Sequence, residues 1–442
     1  MIDSPDLVVN TLGTPLIDSP LGELLDQHEQ SEHYVEESDR VLFDDTLSAV
    51  AARNCLAADL PGFEPAGPRR KIFFDPAKTR AGIVTCGGLC PGLNDVIRGL
   101  TLELLLRYGV ERVYGFCNGF LGFVPGARRS IIELTLDVVS DINEHGGTIL
   151  GSSRGEQDPS VVIDCLERMG INLLFVIGGD GTLRAAMKIV REVSRRGSKI
   201  AVVGVPKTID NDIMYIDQSF GFQTAFSEAT KSIRAAHVEA TGAPNGVGLV
   251  KLMGRHSGFI ACYASLAMSD VNFVLIPEIP FQLEGECGLL AVLKRRLERR
   301  SHAVIVVAEG AGQDLMDTGG PGTTDASGNK RLIDVGPWLR DRITSHFKSI
   351  GVELNLKYID PSYQIRSVPA NPFDSVYCVR LAHNAVHAAF SGRTEIVIGR
   401  WSGRFVHVPM ALAIRQRNKV DPHGDLWMSV LEATGQPRMA GN

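Results

Sequence analysis

Between residues 173 and 205 the chain runs apolar, amphipathic, then apolar again. Leu173-Leu174-Phe175-Val176-Ile177 and Ile200-Ala201-Val202-Val203-Gly204-Val205 are short uninterrupted apolar runs, the pattern of strands buried on both faces. Leu183 to Arg196 between them has helical spacing. Strand, helix and strand make a βαβ unit, so the loops that follow both strands should leave the same carboxyl edge of a parallel sheet. Those loops are Gly178-Gly179-Asp180-Gly181-Thr182 and Pro206-Lys207-Thr208-Ile209-Asp210-Asn211-Asp212.

The alternation continues on both sides. Strands are expected at Ala81–Thr85, Val110–Cys117, Gly246–Lys251, Asn272–Ile276, Ala303–Ala308 and Ile396–Arg400. Helices are expected at Asn94–Tyr108, Asp137–Glu144 and Val161–Met169. Buried strands alternating with helices predict an α/β protein with doubly wound, Rossmann-like parallel sheets. Residues 317–330 read as a polar, Gly-rich loop. Residues 1–70 read as an extension with a short helix at Leu21–His28, closed by a Pro/Gly-rich linker. It is either a solvated tail or an arm that packs through Leu42, Phe43 and Leu47.

Composition narrows the classes. The 442 residues are 44% apolar, enough for two or three domains with substantial cores. Residues 1–60 carry 13 acidic and 2 basic side chains, and the other 382 carry 38 and 43. A mildly basic body suits small anionic substrates and does not suggest a nucleic-acid binder. The eight cysteines include no Cys-x-x-Cys pair, which argues against a zinc site and fits a reducing cytoplasm. No apolar run reaches the ~20 residues of a membrane helix, and Met1–Asp6 lacks the basic start of a secretory signal.

The chemistry concentrates in the loops. Thr85-Cys86-Gly87-Gly88-Leu89-Cys90-Pro91-Gly92-Leu93-Asn94 joins a strand to a helix, a turn that aims backbone N–H groups at an anion. It lacks the Gly-Lys-Ser/Thr of a Walker A loop, and alone it could be merely structural. In Gly178–Thr182 the small residues admit a polyphosphate, and Asp180 can hold Mg²⁺; a capped tight turn would look similar. Thr208, Asp210 and Asp212 add a hydroxyl and two carboxylates.

Taken in order with Met253-Gly254-Arg255 and Tyr363-x-x-Arg366, these motifs resemble the 6-phosphofructokinases from about Lys71 to Arg404. Lys357-Tyr358-Ile359-Asp360-Pro361 looks closest to the plant and trypanosomatid branch, which is ATP-dependent. The resemblance implies two domains with the active site in the cleft between them. A nucleotide-binding domain would span 71–222 plus about 367–410, and a sugar-phosphate domain 223–366 plus about 411–442, with 1–70 as the acidic extension. It implies transfer from ATP to the 1-hydroxyl of fructose 6-phosphate, a glycolytic step, in a cytoplasmic homodimer or homotetramer.

The resemblance also assigns residues. Asp210 matches the catalytic base, and an aspartate near its ordinary pKa of about 3.9 is a weak one. Thr208 and Arg154 match groups at the transferred phosphoryl. Gly88, Arg154, Gly155, Gly179, Asp180, Gly181 and Thr182 match the nucleotide site, with Asp180 toward Mg²⁺. Ile209, Met253, Gly254, Arg255 and Glu309 match sugar contacts, and Tyr363 and Arg366 the 6-phosphate pair. The family usually borrows a phosphate arginine from a neighbouring subunit. Asn245-Gly246-Val247-Gly248 has none here, and Lys357 is the candidate for a second borrowed cation.

Gly181 leaves room for a nucleotide α-phosphate where pyrophosphate users carry Asp, whereas Lys207 is the residue typical of pyrophosphate users. Gly181 weighs more, since a lysine beside phosphates excludes nothing. A pyrophosphate-dependent phosphofructokinase is thus the alternative. NAD or lipid kinases share Gly-Gly-Asp-Gly-Thr but leave the other motifs unexplained, and a catalytically silent nucleotide-binding subunit conflicts with the intact Asp180, Thr208, Asp210 and Arg154.

Overall fold

In the computed structural model, Leu173–Gly178 and Ala201–Pro206 are fully buried strands that pair in parallel from Ala201 opposite Leu173 to Pro206 opposite Gly178. The structure describes residues 4–28, 33–53, 60–126, 131–316 and 332–439. The Gly-rich segment 317–330 lies outside them. The chain divides into two compact units. One is Met1–Thr208 with Ile213–Gly221 and Val368–Gln416; the other is Ile209–Asp212 with Phe222–Ser367 and Arg417–Asn442.

The first unit's main sheet has five parallel central strands: Ile396–Trp401, Ala201–Pro206, Leu173–Gly178, Arg80–Thr85 and Arg112–Phe116. Its borders are antiparallel: Ile131–Glu133 on one side, and Arg404–Pro409, Gly62–Pro65 and Val41–Leu42 on the other. The sheet is therefore mixed at its edges. At one edge the cause is a two-residue turn: Ser402 (φ 45°) and Gly403 (φ 77°) both take positive φ. Such a turn returns the chain antiparallel, with Trp401 opposite Arg404.

Helix Asp180–Arg196 buries Leu183, Ala186, Ile189, Val190 and Val193 and ends on left-handed Gly197. It starts three residues before the expected Leu183, so Asp180, Gly181 and Thr182 form its first turn. The expected Asn94–Tyr108 helix is α from Leu93 to Leu102 and then widens to a π turn over Glu103–Arg107, with Tyr108 N donating to Glu103 O at 3.1 Å. The expected Asp137–Glu144 helix is reduced to a 3₁₀ turn at Ile142–Glu144. There the Thr135 hydroxyl accepts from Val138 N (3.3 Å) and Ser140 donates to Asp137 O (2.9 Å), local bonds that compete with a helix.

The acidic amino-terminal residues pack in the first unit. Glu64 Oε1 accepts from Arg69 at 3.0 Å and Arg393 at 2.9 Å, and Glu37 pairs with the same two arginines. Phe43 stacks on Trp401, whose indole donates to Phe43 O at 3.0 Å. Leu47 stays 87% exposed, so Phe43 and not Leu47 anchors the arm. The helix expected at Leu21–His28 runs from Gly22 to Gln27.

In the second unit, Phe273–Leu275, His302–Ala308, Gly246–Leu252 and Asn355–Ile359 form a wholly parallel sheet in that order. Asn355–Ile359 is a half-exposed edge strand with Lys357 at its middle. It has no continuous apolar run, which hid it from the sequence pattern.

Candidate active site

In the first unit three loops leave the carboxyl edge at one level. Thr85 is opposite Ile177, and Gly178 opposite Pro206. Cys86 N then donates to Ile177 O (2.9 Å), and Lys207 N to Gly178 O (3.0 Å). The Lys207 ammonium reaches Gly88 O at 2.6 Å. Gly87 N donates to Ser153 O (3.0 Å) and Ser152 Oγ to Gly87 O (2.6 Å). These bonds bring the Gly151–Gly155 loop, with its exposed Arg154, against the Gly87–Gly88 turn.

The glycines differ in what they do. Gly155 has φ +101°, a conformation that needs glycine. Gly88 and Gly181 have ordinary backbone, and a Cβ on either would meet nothing within 4 Å. Their missing side chains therefore leave room for something other than protein. A Cβ on Gly179 would sit 3.2 Å from Lys207 O. Thr182 is buried in the first helical turn, where N–H groups and the dipole favour an anion.

Asp180 is the first residue of that helix, and Arg184 one turn on lies 3.2 Å from its carboxylate. Arg184 also donates to Ile414 O at 2.8 Å. The sequence reading missed Arg184, although its i,i+4 spacing from Asp180 is a visible signal. Among the described residues no group of three or more His, Cys, Asp or Glu could cage a metal. One carboxylate suits instead a Mg²⁺ whose other ligands are phosphate oxygens and water. Thr208 O accepts from Ser219 Oγ at 2.5 Å.

In the second unit, Arg255 N points at Asp210 Oδ2 across 3.5 Å, and Ser257 Oγ donates to Asp210 O at 3.0 Å. Ile209 is buried, and left-handed Asn211 (φ 55°) turns the chain between Asp210 and Asp212. Asp212 is buried in an ion pair with Arg417, and its carbonyl accepts from Asn418 N at 2.9 Å. Burial, then the negative charges of Asp212 and Glu309, push the Asp210 carboxyl well above its ordinary range, against the Arg255 N–H and the Arg417 charge. This corrects the expectation of an ordinary, weak base. Arg417, 205 residues from Asp212, carried no local signal in the sequence.

Glu309 follows strand His302–Ala308, and burial also raises its pKa, opposed by Arg255, Lys251 and Arg366. Glu309 N donates to Leu252 O (2.9 Å) and Gly310 N to Gly254 O (3.1 Å), which lace the Met253–Arg255 turn to it. Gly254 has φ +125°, and a Cβ there would press on Ser257 O at 2.5 Å. The Arg366 guanidinium lies 4.6 Å from the centre of the Tyr363 ring, and Tyr363 is 75% exposed. Asp210, Arg255, Glu309 and Arg366 thus form one electrostatic cluster, whereas Lys357 is an exposed side chain on the edge strand, opposite Gly248.

The phosphofructokinase family model matches residues 80–389. The chain is 56% identical to the ATP-dependent 6-phosphofructokinase of Amycolatopsis methanolica, over 99% of this chain and 96% of that protein. It is 51% identical to ATP-dependent 6-phosphofructokinase 7 of Arabidopsis thaliana (86% and 78% covered). It is 46% identical to the ATP-dependent 6-phosphofructokinase of Trypanosoma cruzi (84% and 76%). The crystal structure of a pyrophosphate-dependent phosphofructokinase from Marinobacter aquaeolei aligns with TM-score 0.65 at 22% identity, over 82% of this chain and 92% of that one, a likeness of fold. With five ordered motifs, two units whose sheets have parallel central strands, and a family model that matches residues 80–389, the chain belongs to the phosphofructokinase family.

Proposed function

We propose that the protein transfers the γ-phosphoryl group of ATP to the 1-hydroxyl of fructose 6-phosphate, giving fructose 1,6-bisphosphate and ADP. The observation that carries this reading is the placing of buried Asp210, whose carboxylate faces Arg255 N at 3.5 Å and whose carbonyl accepts from Ser257 Oγ, within reach of the Glu309 charge; burial and that charge raise its pKa. A carboxylate with a raised pKa is a better general base than the free side chain.

In this scheme Asp210 takes the proton of the sugar 1-hydroxyl as that oxygen bonds to the γ-phosphorus. The bond from γ-phosphorus to the β–γ bridging oxygen breaks, and ADP leaves. The transition state is loose and its charge spread over the transferred oxygens, so positioning and cationic groups carry most of the catalysis. Arg154 and the Thr208 hydroxyl serve the transferred group. Gly88, Gly155, Gly179, Gly181 and Thr182 line the donor phosphates, and Asp180 would hold Mg²⁺, which would supply charge neutralisation to the donor. Glu309 accepts from sugar hydroxyls, Met253 to Arg255 frame the sugar, and Tyr363 with Arg366 takes the 6-phosphate. The first unit is accordingly the nucleotide half and the second the sugar-phosphate half.

Donor choice follows the open space at Gly181, and Lys207 is engaged by the Gly88 carbonyl. No described helix is long and apolar enough to cross a membrane. We read the enzyme as a cytoplasmic homodimer or homotetramer, with Lys357 as a cation offered toward a neighbouring copy. Phosphorus NMR of a reaction with ATP and fructose 6-phosphate tests the acceptor: a new phosphate on C1 supports the reading. Phosphorylation of NAD or a diacylglycerol in its place would overturn it.

A further inference from the structure

The second unit holds a buried ammonium that the reaction scheme leaves unused. Lys251 stands two residues before Met253, near the end of strand Gly246–Leu252, with 11% of its side chain exposed. Its Nζ lies 2.7 Å from Asp360 Oδ2 and 3.0 Å from Asp334 Oδ1. The pairing is set by strand register: Val250 is opposite Ile359, so Lys251 and Asp360 are the next residues on neighbouring strands.

Each carboxylate does a second job. Asp360 Oδ1 accepts from Ser362 N (3.1 Å) and Ser362 Oγ (2.6 Å). Ser362 opens the short helix Ser362–Ile365, which carries Tyr363 and is capped by Arg366. Asp334 caps helix Val335–Ser349 by accepting from Gly336 N at 3.2 Å. One lysine therefore ties together a central strand, a helix start and the turn that presents Tyr363 and Arg366. Both carboxylates bind its charged form, against the cost of burial. An ammonium so enclosed acts through these partners and not as a phosphate ligand itself. Its charge, with those of Asp360 and Arg366, also bears on Glu309.

We infer that Lys251 is a positioning residue for the acceptor: through Asp360 it fixes the turn carrying Tyr363 and Arg366, and so sets affinity for the sugar 6-phosphate. The inference rests on the phosphofructokinase reading. It assigns Lys251 to ground-state binding of the sugar phosphate, leaving the chemical step and the nucleotide site to other residues.

The test is steady-state kinetics on the full chain, with Lys251→Met, Lys251→Arg, Asp360→Asn and the Lys251→Met/Asp360→Asn double variant. Lys251→Met should raise KM for fructose 6-phosphate by about 10- to 100-fold, with kcat within about threefold and KM for ATP unchanged. Lys251→Arg should recover most of the loss, and the double variant should be no worse than Lys251→Met, because one linkage is cut twice. A KM for fructose 6-phosphate within about twofold of the parent value would overturn the inference, as would additive effects. Equal losses in kcat and in KM for ATP would also overturn it, by showing a general structural role. If Lys251→Met does not fold, Asp360→Asn, at a carboxylate 34% exposed, decides the same question. A parent enzyme that leaves fructose 6-phosphate untouched would instead overturn the functional reading itself.

Discussion

The ammonium of Lys207 donates to the carbonyl oxygen of Gly88 across 2.6 Å. Lys207 is buried, and the carbonyl belongs to the turn that follows strand Arg80–Thr85. The lysine is thus a strut between two loops at the carboxyl edge, a role compatible with either phosphoryl donor. Lys207→Met should lower kcat/KM for ATP by about 10- to 100-fold, the equivalent of a hydrogen bond from a charged donor. It should neither create nor abolish pyrophosphate use. Kinetics with both donors check this, and a switch of donor would contradict it.

Asp210 supports the second prediction. Its folded pKa is raised, so the folded state holds this proton more tightly than the unfolded chain does. Stability is therefore lost as pH rises from about 3.9, the unfolded value, toward the raised folded value. Asp210→Asn removes that loss. It should melt at a higher temperature than the parent at pH 7 to 8, with the gap closing near pH 4, while kcat falls by about 10²- to 10⁴-fold. Thermal melts across pH, with kinetics, check both halves.

These two residues also mark what could be read from the sequence. Apolar runs and glycine loops put Lys207 and Gly88 in loops that follow buried strands, because the strand–helix alternation and the exit edge of a βαβ unit follow from local pattern; that Leu173–Gly178 lies between their two strands did not. The setting of Asp210 could not be read that way. Its pKa depends on Glu309 and Arg417, brought in by later strands and by the carboxy-terminal segment. The Lys251–Asp360 pair needs the register of a half-exposed edge strand, and the acidic arm proved to be packed because Glu37 and Glu64 find Arg69 and Arg393.

Gly181 tests donor space directly. Its ordinary backbone and empty surroundings mean that Gly181→Asp should fold and melt like the parent. In the proposed donor site a carboxylate there would face the incoming nucleotide phosphates, so KM for ATP should rise by about tenfold or more, about 1.4 kcal/mol of lost binding. An unchanged KM for ATP would show that this position does not gate the donor.

Arg417 offers a pH readout. Arg417→Met removes the Arg417 ion pair at buried Asp212 and should destabilise the fold by about 1–3 kcal/mol. Arg417 also holds the Asp210 pKa down, so its loss should raise that pKa further. As the proposed base, Asp210 must be deprotonated to act, so the acid limb of the kcat/KM profile should move to higher pH. A pH–rate series from pH 5 to 9 tests this; an unmoved acid limb would separate Arg417 from the base.

The most direct test is the donor assay on the parent enzyme with Mg²⁺ and fructose 6-phosphate, comparing ATP with pyrophosphate at equal concentration. The account predicts fructose 1,6-bisphosphate formed with ATP at a rate far above that with pyrophosphate. Turnover with pyrophosphate and none with ATP would contradict it.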